Sequence, residues 1–358
     1  MKIKPVEISS EIVYDNDFIY LQSMCSYQYH KIQSLEEQIK NLAATNCYLI
    51  RLSARNKEEL EIANKLRKKY EREDFVFVAD THFDASITAL AIESGFKKVR
   101  INPGNMDKKM LESLAKSAKD RQCTVRIGIN GGSCREKLGN NFSIQDIVNL
   151  FKEYIEPFEK INHEKIVLSA KFSDYNLCAR VNESLSDCFF YPIHLGVTEA
   201  GGLIRSTVHH TIFLQKMCKK KIGSTLRVSM TGDPLTEIEI GNQILKAIGK
   251  YKGIEVISCP TCGRTWGDLT FYLNDFQERI KDIEYSILKR NKMPQKPIKI
   301  AIMGCEVNGP GEASDADAGI SLTKNGAIFF ENGNIIDKIK KEQISDFLCN
   351  YLKSHLSY

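Results

Sequence analysis

FVFVADTHFDASITALAIESGFKKVRINPGNMDKKMLESLAKSAKDRQCTVRIGIN, residues 75–130, reads as strand, helix, strand, helix, strand. FVFVAD (75–80), KVRIN (98–102) and TVRIGIN (124–130) are β-branched or aromatic runs of the kind a parallel sheet buries, and amphipathic stretches separate them. The same rhythm extends both ways, to FIYLQSM (18–24) and CYLIRLS (47–53) before it and to KIVLSAK (165–171), YPIHLG (191–196) and TLRVSM (225–230) after it. Eight such units within about 240 residues have the size of a (β/α)8 barrel. A doubly wound open sheet shows the same local alternation. The polar residues separate the two: Arg51, Asp80 with His82, Arg100 with Asn102, Arg126 with Asn130, Lys171, His194 with Glu199, and Arg227 with Ser229 all fall at or just past strand ends. A barrel gathers those ends on one face, whereas an open sheet scatters them along an edge, so the pattern favours an α/β TIM barrel. Capping boxes at Ser34 to Glu37 and Ser143 to Asp146 are expected to start two of the helices.

Past residue 245 the pattern changes. IEVIS (254–258) runs into Cys259, a helical stretch covers roughly 266–290, and KIAIMG (299–304) runs into Cys305. AIFFE (327–331) and the amphipathic ISDFLCNYL then complete a small α/β domain. The expected organisation is a substrate-binding barrel over 1–245 and a second domain over 250–358.

The 358 residues are 42% apolar and 27% charged, which excludes disordered, collagenous and fibrous classes. No apolar run approaches the roughly 18 residues of a membrane span. The N-terminal MKIKPVEISSEIVYDNDF lacks the apolar core of a secretory signal and the composition of a transit peptide, so a cytoplasmic protein without membrane attachment is expected. The net charge of +5 is spread along the chain without a block of like charges and by itself argues little about partners; with the arginines on separate strand ends and no aromatic interleaving, no nucleic-acid partner is expected.

Arg51, Arg100, Arg126, Lys171 and Arg227 at strand ends need an anion to offset their desolvation. Structural ion pairs explain any one of them, but Asp80 and Glu199 are the only obvious acids nearby. Several guanidinium forks together suit a diphosphate. The turns RINPGN (100–105), NGGS (130–133) and EAGG (199–202) offer backbone donors to the same face. Glu199 among these cations reads as a proton shuttle or hydroxyl anchor, with a salt bridge to Arg227 or Lys171 as its plainer reading. His209, His210 and Trp266 read as surface or packing residues.

Eleven cysteines in a chain of this kind are buried, metal-bound or catalytic rather than disulfide-bonded. Cys259-Pro260-Thr261-Cys262 has metal-ligand spacing, shared by zinc knuckles, redox dithiols and iron-sulfur sites. Cys305 ends another strand of the same domain within GCEVNGPGE, which delivers Glu312. Three thiolates and a carboxylate suit a 4Fe-4S cluster with one exchangeable iron. Cys134 in the GGSC loop is the one alternative ligand among the remaining cysteines.

ISCPTCGRT (257–265), IMGCEVNGPGEASDADAGI (302–320), HLGVTEAGG (194–202), VADTHFD (78–84), VRINPGN (99–105) and LRVSM (226–230) together resemble the motifs of the 4-hydroxy-3-methylbut-2-en-1-yl diphosphate synthases, iron-sulfur enzymes of the methylerythritol phosphate route to isoprenoids. The resemblance runs in order from about residue 20 to 330. It implies a TIM barrel joined to a sulfite-reductase-like 4Fe-4S domain, in the two-domain bacterial form. It also implies a homodimer in which the cluster domain of one subunit caps the other's barrel, and ferredoxin or flavodoxin as electron donor. The implied reaction is reductive opening and dehydration of 2-C-methyl-D-erythritol 2,4-cyclodiphosphate. Carried over motif by motif, Cys259, Cys262, Cys305 and Glu312 would hold the cluster, and Arg51, Arg100, Arg126, Asn130, Lys171, Arg227 and Ser229 the diphosphate. Thr198 and Glu199 would face the carbon skeleton, Glu199 as acid/base, with Asp80 and His82 at the barrel mouth. Cys25-Ser26-Tyr27 and Ser321-Leu322 depart from the usual Thr-Asn-Thr and Gly-Gly of these motifs. Two other readings remain: a zinc module that contacts nucleic acid or protein, and a non-redox barrel enzyme with a structural zinc domain.

Overall fold

The computed structural model describes residues 3–81, 84–289, 296–307, 313 and 315–356. They fall into two compact units, 1–250 and 251–358.

In the first unit, a short hairpin of β1 (Val6–Glu7) and β2 (Val13–Tyr14) precedes eight parallel strands. These are β3 (Tyr20–Met24), β4 (Cys47–Ser53), β5 (Val76–Asp80), β6 (Lys98–Ile101), β7 (Thr124–Asn130), β8 (Ile166–Lys171), β9 (His194–Leu195) and β10 (Thr225–Leu226). The sheet order is β8-β7-β6-β5-β4-β3-β10-β9, and a bridge from Leu168 to Ile193 joins its two ends, so the barrel closes. Between and after the strands lie α1 (Ile32–Ala43), α2 (Lys57–Tyr70), α3 (Ala85–Glu93), α4 (Leu111–Asp120), α5 (Gly131–Leu138), α6 (Ile144–Lys160), α7 (Tyr175–Cys188), α8 (Leu203–Lys219) and α9 (Pro234–Ala247).

Local chemistry accounts for most helix starts. Asn56, Asp84, Asp174 and Asp233 each accept a backbone N–H from the first turn of the helix that follows. Ser143 forms the expected capping box with Asp146. The box expected at Ser34 does not form: a 3-10 turn at Tyr29–Lys31 starts the helical path earlier, α1 begins at Ile32, and Ser34 lies inside its first turn. The last two barrel strands are shorter than their apolar runs, and for β9 Gly196 at φ +149° turns the chain out of the sheet.

The hairpin was not legible in the sequence. Val6, Ile8, Ile12 and Tyr14 pack with Leu49, Val76, Val78 and Val167, inward-facing residues of the barrel. Lys98 at the start of β6 is buried there, donates to the Tyr14 hydroxyl at 3.0 Å and lies 4.5 Å from the centre of its ring.

The second unit is a five-stranded sheet in the order β11 (Ile254–Ser258), β12 (Ile298–Met303), β13 (Ala318–Thr323), β14 (Gly326–Glu331), β15 (Asn334–Ile339). The first three strands are parallel and the rest antiparallel. α10 (Leu269–Lys289) and α11 (Ile344–His355) cover one face through Phe276, Ile280, Ile283 and Leu348 against Ile300, Ile302 and Ile320. The other face carries a smaller cluster of Ala301, Met303, Ala313, Ala316 and Phe330, with Ile257 and Cys259 against it. No described helix is long and apolar enough to cross a membrane.

Candidate functional site

The C-terminal ends of the barrel strands enclose a cavity of about 130 Å³. Arg51, Arg100, Arg126, Asn130, Lys171, Thr198, Arg227 and Ser229 all line it, with Gly128, Ile129 and Ser169 completing the wall. These eight polar residues come from six strand ends, and only closure of the barrel brings them together. Inward-facing positions alternate along a strand, so Arg51 and Arg100 share the face on which Asp80 lies.

Asp80 sits beneath the cavity wall, nearly fully buried, with Arg51 Nε at 3.0 Å and Arg100 Nη1 at 3.3 Å from its two oxygens. Arg100 also donates to the Gly128 carbonyl at 3.3 Å. Arg227 forms a two-point fork on Glu237, at 3.2 Å from Nε and 2.9 Å from Nη2. The Ser23 hydroxyl donates to the same carboxylate at 3.0 Å. Glu237 was absent from the sequence reading, which counted only Asp80 and Glu199 as acids near the mouth. It lies in the first turn of α9. The DPLTE start of that helix, six residues past Arg227, was the signal available.

Two carboxylates thus face five cations. Arg126 is buried with Nε and Nη2 lacking a hydrogen-bond partner, and Lys171 has no acidic partner among the described residues. Burial, reinforced by Arg51 and Arg100, pushes the Arg126 guanidinium well below its usual range. Burial and the charges of Arg126, Arg227 and Arg51 do the same to the Lys171 ammonium. Arg51 is pulled down to about 10 by burial, with Asp80 opposing the shift. An enclosed surplus of positive charge of this kind is complementary to a compact polyanion.

The N-terminus of α5 adjoins the cavity. Asn130 caps it, its Oδ1 accepting from Ser133 N at 2.9 Å while Ser133 Oγ accepts from Asn130 N at 3.1 Å. This commits the Asn130 oxygen to the helix and leaves its amide nitrogen for a ligand. The RINPGN turn packs against the same cap: a side chain at Gly104 would lie 2.4 Å from the Ser133 carbonyl, so glycine is required there.

Glu199 does not line the cavity. It is exposed, in the left-handed region at φ +57°, next to the cavity residue Thr198, and forms no ion pair with Arg227 or Lys171. Non-glycine residues rarely adopt that conformation, and those that do concentrate at functional sites. His82 lies outside the described residues. His194 is buried inside the barrel with Nδ1 2.7 Å from Thr225 Oγ1, and burial, together with the nearby Lys171 and Arg126 charges, keeps it neutral. His210, read from sequence as surface or packing, is fully buried, and its Nε2 lies 3.2 Å from Val197 N and 3.3 Å from Ser229 N. Trp266 is exposed.

In the second unit, β11 and β12 run parallel with Ser258 opposite Ile302, so Cys259 and Cys305 follow neighbouring strand ends. Gly304 N donates to Cys259 Sγ at 3.2 Å. The loop after Cys259 folds over that end through Trp266 N to Gly304 O at 2.8 Å and Cys262 N to Thr265 Oγ1 at 3.1 Å. Hydrogen bonds from the Arg264 backbone and side chain hold the Cys262 thiol below its usual range. Three free thiols at one end of a sheet, one receiving a backbone N–H and one biased toward thiolate, have the donor chemistry an iron-sulfur cluster requires. No three His, Cys, Asp or Glu side chains among the described residues are gathered tightly enough to hold a metal ion, and Glu312 lies outside the described residues. Cys134 is buried within the barrel unit.

Two family models match the chain in succession: the GcpE TIM-barrel domain over residues 3–242 and the GcpE protein C-terminal domain over 255–354. A 4-hydroxy-3-methylbut-2-en-1-yl diphosphate synthase (flavodoxin) of Clostridium acetobutylicum is 36% identical over 353 residues, covering 97% of both chains. One of the same name from Thermotoga petrophila is 34% identical, covering 99% of this chain and 98% of its own. Among solved structures, a dihydropteroate synthase of Stenotrophomonas maltophilia superposes with a TM-score of 0.51 at 11% identity, over 68% of this chain and 98% of that one. One from Yersinia pestis gives 0.50 at 11% identity, over 70% of this chain and 100% of that one. At that identity the likeness carries the barrel fold alone. Matched by both domains in order and aligned with its relatives from end to end, the chain belongs to the GcpE family of 4-hydroxy-3-methylbut-2-en-1-yl diphosphate synthases.

Proposed function

We propose that the chain reductively opens and dehydrates 2-C-methyl-D-erythritol 2,4-cyclodiphosphate to 4-hydroxy-3-methylbut-2-enyl diphosphate. The step consumes two electrons and two protons and releases one water. The observation that carries the proposal is the cavity lined by five cations, of which Asp80 and Glu237 pair with only three, in a chain whose relatives are named as synthases of the product diphosphate.

Arg51, Arg100, Arg126, Lys171 and Arg227 would bind the diphosphate, with Asn130 and Ser229 adding neutral donors. Asp80 holds Arg51 and Arg100, and Glu237 holds Arg227, so those forks are ordered before ligand arrives and little reorganisation remains. Thr198 would meet the carbon skeleton from the cavity wall. Glu199 would hold or deliver a proton to the departing oxygen from the rim, and His82 would add a further contact to the substrate.

Cys259, Cys262, Cys305 and Glu312 would hold a 4Fe-4S cluster. Such a cluster supplies electrons singly at low potential and an iron with a replaceable ligand. Reduced flavodoxin or ferredoxin would be the donor, and the chain would work as a homodimer. The test is anaerobic turnover of the cyclodiphosphate with reduced flavodoxin, in wild type and in Cys305→Ser. Product from wild type and none from the variant supports the proposal. Normal turnover by Cys305→Ser removes the ligand assignment, and failure of wild type to turn over removes the reaction.

A further inference from the structure

We propose that His210 is a positioning residue for the site: a neutral imidazole that ties together the two loops carrying Thr198, Glu199, Arg227 and Ser229. One side of the ring faces Val197 N at 3.2 Å and Ser229 N at 3.3 Å, both from Nε2. The other nitrogen, Nδ1, lies 2.8 Å from the Ser206 carbonyl. Two N–H groups converge on Nε2, so that atom must present its lone pair, and the carbonyl at Nδ1 accepts the ring's proton. The contacts therefore select one tautomer. An imidazolium, with a proton on Nε2, would break both loop contacts.

The environment keeps the ring neutral. His210 is fully buried on α8, and burial, with Lys171, His209 and Arg227 adding to it, pushes its pKa down to about 4. Ser206, one helical turn earlier, extends the tie by donating its hydroxyl to the Ser229 carbonyl at 3.0 Å. The anchored amides are placed where they matter: Val197 immediately precedes Thr198, and Ser229 is itself in the cavity wall. The Val197 N–H is buried with the ring, so loss of the acceptor leaves it unpaired, and the Ser229 N–H is part-buried beside it.

The catalytic part of this inference rests on the reaction proposed above, whereas the tautomer and the loop anchoring do not. The test uses the anaerobically purified full chain, with His210→Leu to remove the acceptor and His210→Gln to retain a side-chain oxygen. Nitrogen-15 NMR of histidine-labelled wild type should show His210 protonated on Nδ1 alone at neutral pH. A proton on Nε2 overturns the proposal without any variant. Hydrogen exchange should accelerate by about tenfold or more at Val197 and Ser229 in His210→Leu, with protection elsewhere retained, and His210→Gln should restore much of it. In turnover of the cyclodiphosphate, His210→Leu should lose on the order of tenfold in kcat with a smaller change in KM, and His210→Gln should recover part of the loss. Unchanged exchange at both amides in His210→Leu, or equal loss of kcat in the two variants, contradicts the proposal. If wild type turns over no cyclodiphosphate, the reaction fails, and the tautomer and exchange still decide the role of His210.

Discussion

Lys171 and Arg126 carry the electrostatic tension of the barrel. Both are buried cations without a carboxylate of their own among the described residues, and burial disfavours their charged forms. A bound diphosphate reverses that balance for Lys171 by favouring the ammonium. Its pKa therefore rises on binding, and between its depressed free value and its bound value the complex takes up a proton. Calorimetric titration with pyrophosphate over a series of pH values, in two buffers of different ionisation enthalpy, should show this uptake below the usual lysine range, and Lys171→Met should lose it. No difference between wild type and Lys171→Met in the buffer dependence at any pH of the series would show that Lys171 is already charged in the free protein. Arg126→Met follows from the same physics with a different readout. Removing a buried unpaired cation relieves desolvation, so the ligand-free variant should melt at a temperature equal to or above wild type, while stabilisation by pyrophosphate should fall sharply. A large drop in the melting temperature of the free variant would mean that Arg126 is structurally paired. The cations were legible from sequence because an arginine at the end of an apolar strand has few explanations. Glu237 and His210 were not, because their roles arise only when α8 and α9 fold back over neighbouring loops.

Whether an element was legible depended on whether its signal was local. Ser143 caps α6 because its partner Asp146 is three residues away, and Ser143→Ala should lower stability by about 1 kcal/mol in denaturant unfolding, with no effect on pyrophosphate binding. Ser34 carries the same motif without effect, because the preceding 3-10 turn had already set the start of α1. The strands from β4 to β8 match their apolar runs closely, since burial on both faces leaves no polar alternation to confuse them. β13, AGISLT, was missed because its small residues give no strand signal. Gly319 is required there, as a side chain would come within 2.5 Å of the Ala301 carbonyl. β15 has an exposed pattern and was missed for the opposite reason, having almost no buried face. Gly196 joins element to site: a side chain at its φ of +149° would lie 2.5 Å from the Arg227 carbonyl and 2.8 Å from Lys171 Nζ. Gly196→Ala should therefore weaken pyrophosphate binding by on the order of tenfold or more while the barrel still folds, and unchanged affinity would show that Lys171 does not set binding.

At the scale of the whole molecule, two units divide the chemistry between a cationic barrel mouth and a sheet end bearing thiols. The barrel and the family were readable because strand-end motifs and the segment around Cys305 persist in order along the chain. The set of three thiols and a carboxylate was read from spacing and from the family motifs, and the described residues contain the parallel strand ends and the Gly304 to Cys259 contact without a gathered metal group. The central claim is that this chain is a cluster-dependent reductase. Anaerobic purification of the full chain, followed by iron, sulfide and zinc analysis and an absorption spectrum before and after dithionite, tests it most directly. About four iron and four sulfide per chain with bleaching on reduction is the predicted result; zinc without sulfide would contradict it.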